Sequence, residues 1–318
     1  MKHLIALAIT AGASPLLAQD ISLQLPIDCT LGKTCFIQQF TDRDPGPEAK
    51  DFTCGTLSYD GHKGTDFALA THKDRLNGVD VLAAADGRVR GVRDGMPDLG
   101  LDDTPSDEIE GRDCGNGVVI DHGNGWETQY CHMAQGSVMV QDGDTVTAGT
   151  PLGQIGFSGS TQFPHLHLSV RHNGAVVDPF APNTDSCADS ELSLWAKDIS
   201  YQPSAILDLG LSDAVPEYDA IKQGLPEADI ARNEPLVLWG YAYGAQPGDV
   251  MSFLITGPHG EIFRHDVTVD RQQAQYFRAG GLKAPKGGWP TGRYTGLVSV
   301  SREGRLVDRR VTQAEIHG

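Results

Sequence analysis

Basic side chains are scarce in this 318-residue chain: 25 Lys and Arg stand against 42 Asp and Glu, a formal charge of −17. That balance excludes nucleic acid as an expected partner, because phosphate binding needs clustered cations. The acidity reads as solubility outside the cytoplasm. Beyond the first twenty residues no apolar run is long enough to cross a bilayer, so no membrane span is expected. No C-x-x-C pair occurs, which argues against a zinc–thiolate site. No H-E-x-x-H occurs, which removes the helical zinc-protease arrangement and its glutamate base. The ligand order of an EF-hand is also missing. Ser158-Gly159-Ser160 lacks the strand-to-helix turn of a nucleophile elbow.

What is present begins with an export signal. Residues 1–18 combine Lys2 and His3 with an apolar run and a small-residue end at Ala18, the pattern of a cleaved signal peptide. Six cysteines follow: Cys29, Cys35, Cys54, Cys114, Cys131 and Cys187. An even number behind such a leader points to disulfides in an oxidising compartment. Fifteen pairings are possible. Cys114–Cys131 is the one expected, because each flanks a predicted strand of one hairpin.

The fold class expected is mainly β, with an antiparallel catalytic domain followed by a small immunoglobulin-like sandwich. Residues 19–55 read as a cysteine-containing lead-in with little periodicity. Across 56–182, short strands alternate with turn residues: Val79–Ala85, Arg88–Val92, Val118–His122, Glu127–His132, Leu152–Phe157 and His165–His172. Asp86-Gly87, Gly123-Asn124-Gly125 and Asn173-Gly174 are hairpin chemistry. Residues 183–232 read as a linker with one or two short helices. Strand patterning returns over 233–318, at 236–243, 251–256, 263–269, 293–301 and 306–312, which suggests the sandwich. The insertion Asp94–Asp113 carries eight acidic side chains against one Arg, and is read as a solvated excursion or a wall of a substrate site.

The chemistry-bearing residues are histidines. In His165-Leu166-His167, residues i and i+2 of a strand share one face, so both imidazoles point to one cleft. Upstream, His62 and Asp66 are four apart in GHKGTDFAL, which is not a helix pattern. A strict strand would hold them about 13 Å apart. A bend is therefore required, and Gly64 supplies a permissive backbone for it. His62, Asp66 and His167 make a His2Asp set suited to one catalytic zinc with an open position. His165 and His132 stand as nearby histidines free to move protons, since their ordinary pKa lies near neutrality. His122 reads as a structural residue at a hairpin, and Asn116 as a turn residue or part of a groove lining.

GHKGTDFAL, GNGVVIDHGNGWETQYCHM, VQDGDTVTAGTPLGQIGFSGST and PHLHLSVRHNGAVVDP together resemble the lysostaphin/LytM-type zinc endopeptidases. The resemblance covers about Gly61 to Pro179. It implies His62, Asp66 and His167 as ligands of one Zn2+, His132 and His165 as catalytic histidines, and peptidoglycan peptides as substrate. Two departures stand out. Ser160-Thr161-Gln162-Phe163-Pro164 replaces the family's Ser-Thr-Gly-Pro, and Leu168-Ser169 replaces the Phe-Glu that commonly follows His-x-His. Substrate preference is what they touch. The alternative reading is a non-hydrolytic wall-binding protein or a regulator of other hydrolases.

Overall fold

The computed structural model describes residues 21–183, 187 and 192–317; the expected signal peptide lies outside the described residues. The N-terminal part holds ten short strands: β1 (Phe36–Gln39), β2 (Thr65–Ala68), β3 (Asp80–Leu82), β4 (Gly87–Arg93), β5 (Asn116–Gly123), β6 (Trp126–Met133), β7 (Thr145–Val146), β8 (Pro151–Gln154), β9 (His165–His172) and β10 (Ala175–Val176). The main antiparallel sheet runs β1-β2-β9-β6-β5-β4-β7, with β10 on β9. The expected strands 79–85 and 152–157 shorten to β3 and β8, which pair only with each other. Short helices α1 (His72–Leu76), α2 (Gly100–Asp103) and α3 (Ser106–Ile109) sit in the insertions.

Period-two alternation decides which face of each strand is buried. On β6, Trp126, Thr128 and Tyr130 point into the core while Glu127 and Gln129 stay half-exposed. Turn chemistry sets the register at β5–β6, where Gly123, Asn124 and Gly125 all take positive φ. The buried Tyr130 hydroxyl accepts from the Ala84 amide at 2.8 Å and from Thr128 Oγ1 at 3.0 Å. His122 bonds the Asp86 carbonyl and Thr128 Oγ1, so it braces this network.

The segment expected as a lead-in is structured from within the sheet. β1 is its edge strand, and Leu23, Ile27, Phe36, Ile37 and Phe40 are core residues. The stretch expected as a linker contains β11 (Ala205–Ser212) as well as α4 (Tyr218–Gln223). β11 opens a C-terminal unit with β12 (Leu236–Ala245), β13 (Val250–Gly257), β14 (Gly260–Thr268), β15 (Gln273–Leu282), β16 (Gly292–Arg302) and β17 (Arg305–Ile316). Sheets β11-β12-β15 and β14-β13-β16-β17 share a second core around Leu238, Met251, Phe253 and Val298. β11 and β15 escape the sequence pattern because their alternation is diluted by Asp208, Gly210, Arg278, Gly280 and Gly281.

All ten residues of β12 are buried because both its faces are covered. Leu236, Leu238 and Ala242 face the second core, while Trp239, Tyr241 and Tyr243 join the first. Phe36 meets Tyr243 edge-on, Arg310 lies over Phe36, and Gln275 bonds Gln38 at 2.9 Å. The C-terminal unit is thus docked on the lead-in rather than tethered by a free linker. Disulfides join Cys29–Cys35, Cys54–Cys187 and the expected Cys114–Cys131, and no cysteine is free. No helix among the described residues is long and apolar enough to cross a membrane.

Candidate metal centre and its groove

The pairing of β2 with β9 sets Asp66 opposite His167 and Ala68 opposite His165. Asp66, His165 and His167 therefore share one face of adjacent strands. His62 lies before β2 and reaches the same point across the bend. Its Nε2 is 3.2 Å from Asp66 Oδ1 and 3.2 Å from His167 Nδ1, and His167 Nδ1 is 2.8 Å from Asp66 Oδ1. One donor atom from each of these three residues lies within 4.8 Å of the others. His165 Nε2 stands 3.4 Å from Asp66 Oδ1.

Gly64 is needed here for a reason other than the one read from its backbone freedom. Its φ lies outside the left-handed region, but a Cβ would come within 2.6 Å of His167 Nε2 and of the Leu168 carbonyl. The bend brings the chain so close to β9 that no side chain fits.

His132 reaches the site through a bulge. Between the pairs Val118–Tyr130 and Asn116–Met133, both Cys131 and His132 oppose Gly117 alone. His132 takes φ 63°, a conformation costly for a non-glycine residue. Strict alternation would turn it towards the core with Tyr130; the bulge turns it towards the histidines instead. Its ring lies 4.6 Å from that of His165 and 6.0 Å from that of His167. The His132 amide donates to the Cys114 carbonyl at 2.8 Å, beside the Cys114–Cys131 disulfide.

Backbone carbonyls dictate the tautomers. A carbonyl can only accept, so His62 Nδ1–H donates to Phe40 O at 2.7 Å and His132 Nδ1–H to Ser158 O at 2.8 Å. His165 Nδ1–H donates to Phe163 O at 2.9 Å. With Nδ1 protonated, each neutral ring keeps its lone pair on Nε2. His167 is reversed: its Nε2 pairs with Ser169 Oγ at 3.0 Å, leaving Nδ1 facing Asp66. Imidazole nitrogens and a carboxylate thus crowd one buried point, an arrangement stabilised by a shared proton or by a cation among them. The donor chemistry, two imidazole nitrogens and one carboxylate oxygen, fits zinc.

The charges respond accordingly. Burial pushes the Asp66 carboxyl up, but His62, His165 and His167 outweigh it and hold it well below the usual carboxylate range. Burial likewise opposes a charged His62, yet Asp66 overrides it and raises the imidazole. Burial, with His165 and His167 adding to it, drives His132 well below its ordinary value and keeps it neutral. Burial also lowers His167, against the pull of Asp66.

A groove of about 510 Å³ opens beside His132 and His167. Tyr59, Gln129 and Ser169 contribute polar walls, and Gly111, Arg112 and Asp113 bring in the end of the acidic insertion. Tyr59 also stacks on His62 at 4.4 Å. No described residue of 21–55 lines the groove. Asp94 and Asp98 staple the insertion to the body: Asp94 accepts from the Gly136 and Val138 amides, and Asp98 from those of Phe157 and Gln135. Asn116 is buried away from the groove, bonding Met96 and Met133. Sequence reasoning missed the supports at Phe40, Ser158 and Phe163, because a carbonyl acceptor leaves no mark in residue identity. Ser169 was noted only as a departure.

Residues 60–179 match the family described as Peptidase family M23. The chain is 32% identical over 120 residues to the DD-carboxypeptidase/endopeptidase Mpg of Neisseria meningitidis, covering 37% of this chain and 22% of that protein. It is 30% identical over 122 residues to the peptidoglycan DD-endopeptidase ShyA of Vibrio cholerae, covering 38% and 23%. The match thus spans about a fifth of the length of these curated relatives. Among solved structures, the catalytic domain of the prophage-encoded M23 protein EnpA from Enterococcus faecalis aligns at a TM-score of 0.31 and 24% identity, over 46% of this chain and 88% of that one.

Proposed function

We propose that this chain, whose residues 60–179 match peptidase family M23, is an exported LytM-type zinc metalloendopeptidase cutting peptide bonds in the stem or cross-link peptides of bacterial peptidoglycan. The observation that carries this reading is the convergence of His62, Asp66 and His167 donor atoms beside a groove lined by His132, with the His165 ring 4.6 Å from that of His132. Three disulfides fit an oxidising compartment.

In this reading His62 Nε2, an Asp66 oxygen and His167 Nδ1 hold one Zn2+. A zinc ion there supplies a Lewis acid and acidifies water at neutral pH. The protein's own groups do the rest. Phe40 O and Ser169 Oγ orient the two ligating rings from behind, as outer partners of metal histidines do. With no H-E-x-x-H glutamate, proton handling falls to His132 and His165. His132 is neutral and its Nδ1 is locked, so Nε2 can accept the proton of an attacking water and return it to the leaving amine. His165, with Nδ1 held by Phe163 O, offers the second imidazole to orient water and steady the tetrahedral oxyanion.

Purified sacculi of known chemistry, incubated with zinc-loaded and with chelated protein, test this directly. New peptide termini, read by mass spectrometry, are expected from the loaded protein alone. Products identical to a buffer control would instead favour the non-hydrolytic wall-binding or regulatory alternative.

A further inference from the structure

The groove is the exception in an acidic molecule. Its lining includes four cations, Lys63, Arg93, Arg112 and Arg171, while the chain carries a net charge of −17. Asp113 is the groove's one carboxylate. Lys63, Arg93 and Arg112 take part in no ion pair among the described residues; Arg93 donates only to the Gly115 carbonyl, at 3.3 Å. Arg171 bonds Glu127 at 2.9 Å and Gln129 at 2.6 Å, but Glu127 is shared with Arg90 at 2.7 Å, so one carboxylate serves two guanidinium groups.

The source of Arg112 sharpens the point. It is the only cation in the insertion 94–113, and it lies in the groove wall, whereas the other acidic residues of that insertion, Asp113 apart, lie outside the lining. Self-repulsion among unpaired cations is tolerated where a ligand of opposite sign completes the site.

We propose that Lys63, Arg93 and Arg112 are specificity-determining residues that recognise free carboxylates flanking the scissile amide, so that the preferred substrate is an acidic peptide rather than a neutral one. This rests on the hydrolase reading for the cleavage step, but the recognition itself is a binding property of the groove. Arginine suits it through paired N–H donors that match a carboxylate, and Lys63 adds a mobile point charge.

The test uses a synthetic stem-type peptide with its side carboxylates free and a twin with those carboxylates amidated. Binding is measured by fluorescence anisotropy on the chelated protein, and kcat/KM on the zinc-loaded protein. The acidic peptide is expected to bind about tenfold more tightly, with the preference shrinking as salt rises from about 50 to about 500 mM. Lys63→Gln, Arg93→Gln and Arg112→Gln should each weaken the acidic peptide about 2- to 5-fold and leave the amidated twin unchanged. Arg112→Lys should restore most of the preference, since it keeps the charge. Equal affinity for the two peptides, or variants that weaken both alike, would overturn the proposal. Discrimination in binding without any cleavage of sacculi would sink the hydrolase reading and leave this one standing. Cleavage without discrimination would do the reverse.

Discussion

The groove-bearing sheet and the C-terminal unit are both antiparallel β structures, yet each answers a buried carboxylate differently. In the C-terminal unit Asp249 is buried and fully answered: Arg302 contacts both its oxygens at 2.8 Å and the Gln246 amide adds a third bond. Ser204 Oγ donates to the Tyr243 carbonyl at 2.6 Å. Around Asp66, in contrast, the partners of one carboxylate oxygen are the imidazoles of His62, His165 and His167, whose charge depends on their protonation. Burial without complete pairing is unfavourable. The difference teaches that one buried carboxylate is matched by a permanently charged guanidinium, and the other only by titratable imidazoles, a donor set that could also hold a metal ion.

Removing a donor should break that comparison hardest. His62→Ala is expected to lose the metal, read by atomic spectroscopy after dialysis, and with it all cleavage of sacculi. Next in size, His132→Ala should keep the metal and lose about 10²–10³ in kcat. Equal metal loss in both variants would refute the division between ligands and proton-handling histidines. Ser169→Ala removes the partner of His167 Nε2 and should weaken metal affinity about 10- to 100-fold, measured by competition with a chelator. In the C-terminal unit, Arg302→Ala leaves the Asp249 carboxylate buried and unpaired. It should destabilise the fold by about 3 kcal/mol in denaturant unfolding while metal affinity stays unchanged.

The smallest effect expected is a slope with pH. Burial raises the Asp178 carboxyl to about 6, and its Oδ2 has no hydrogen-bond partner. Because the folded state holds that proton more tightly than the unfolded chain, the group's contribution is full below about pH 4 and lost as pH rises through about 6. Asp178→Asn should flatten this part of the stability profile; an unchanged slope would assign it to other groups.

Much of the main sheet was legible because alternation and hairpin glycines act locally. The strands at 88–92, 118–122, 127–132 and 165–172 all lie in the main sheet. The lead-in and the linker were misjudged because their residues become ordered only by docking. Ile27 meets Val81 through a lone bridge, and β11 pairs with β12 between Ala205–Tyr243 and Ser212–Val237, 25 to 38 residues further along the chain. His62, Asp66, His132, His165 and His167 stand out in the sequence because histidine is sparse, 11 in the whole chain, and its spacing brings these imidazoles near one carboxylate. Their supports do not, since Phe40, Ser158 and Phe163 act through backbone oxygens that every residue has.

The sequence by itself determined the alternation that makes His165 and His167 neighbours on one face, the donor types at 62 and 66, and the acid-rich balance of the whole. These depend on residue identity and a two-residue period, which are local properties. Only the tertiary structure decided that His132 turns to the site through a bulge and that Gly64 gives room rather than freedom. It alone also gathered Lys63, Arg93 and Arg112 around one groove. Each of those requires segments distant in the chain to meet, and no local pattern encodes a meeting.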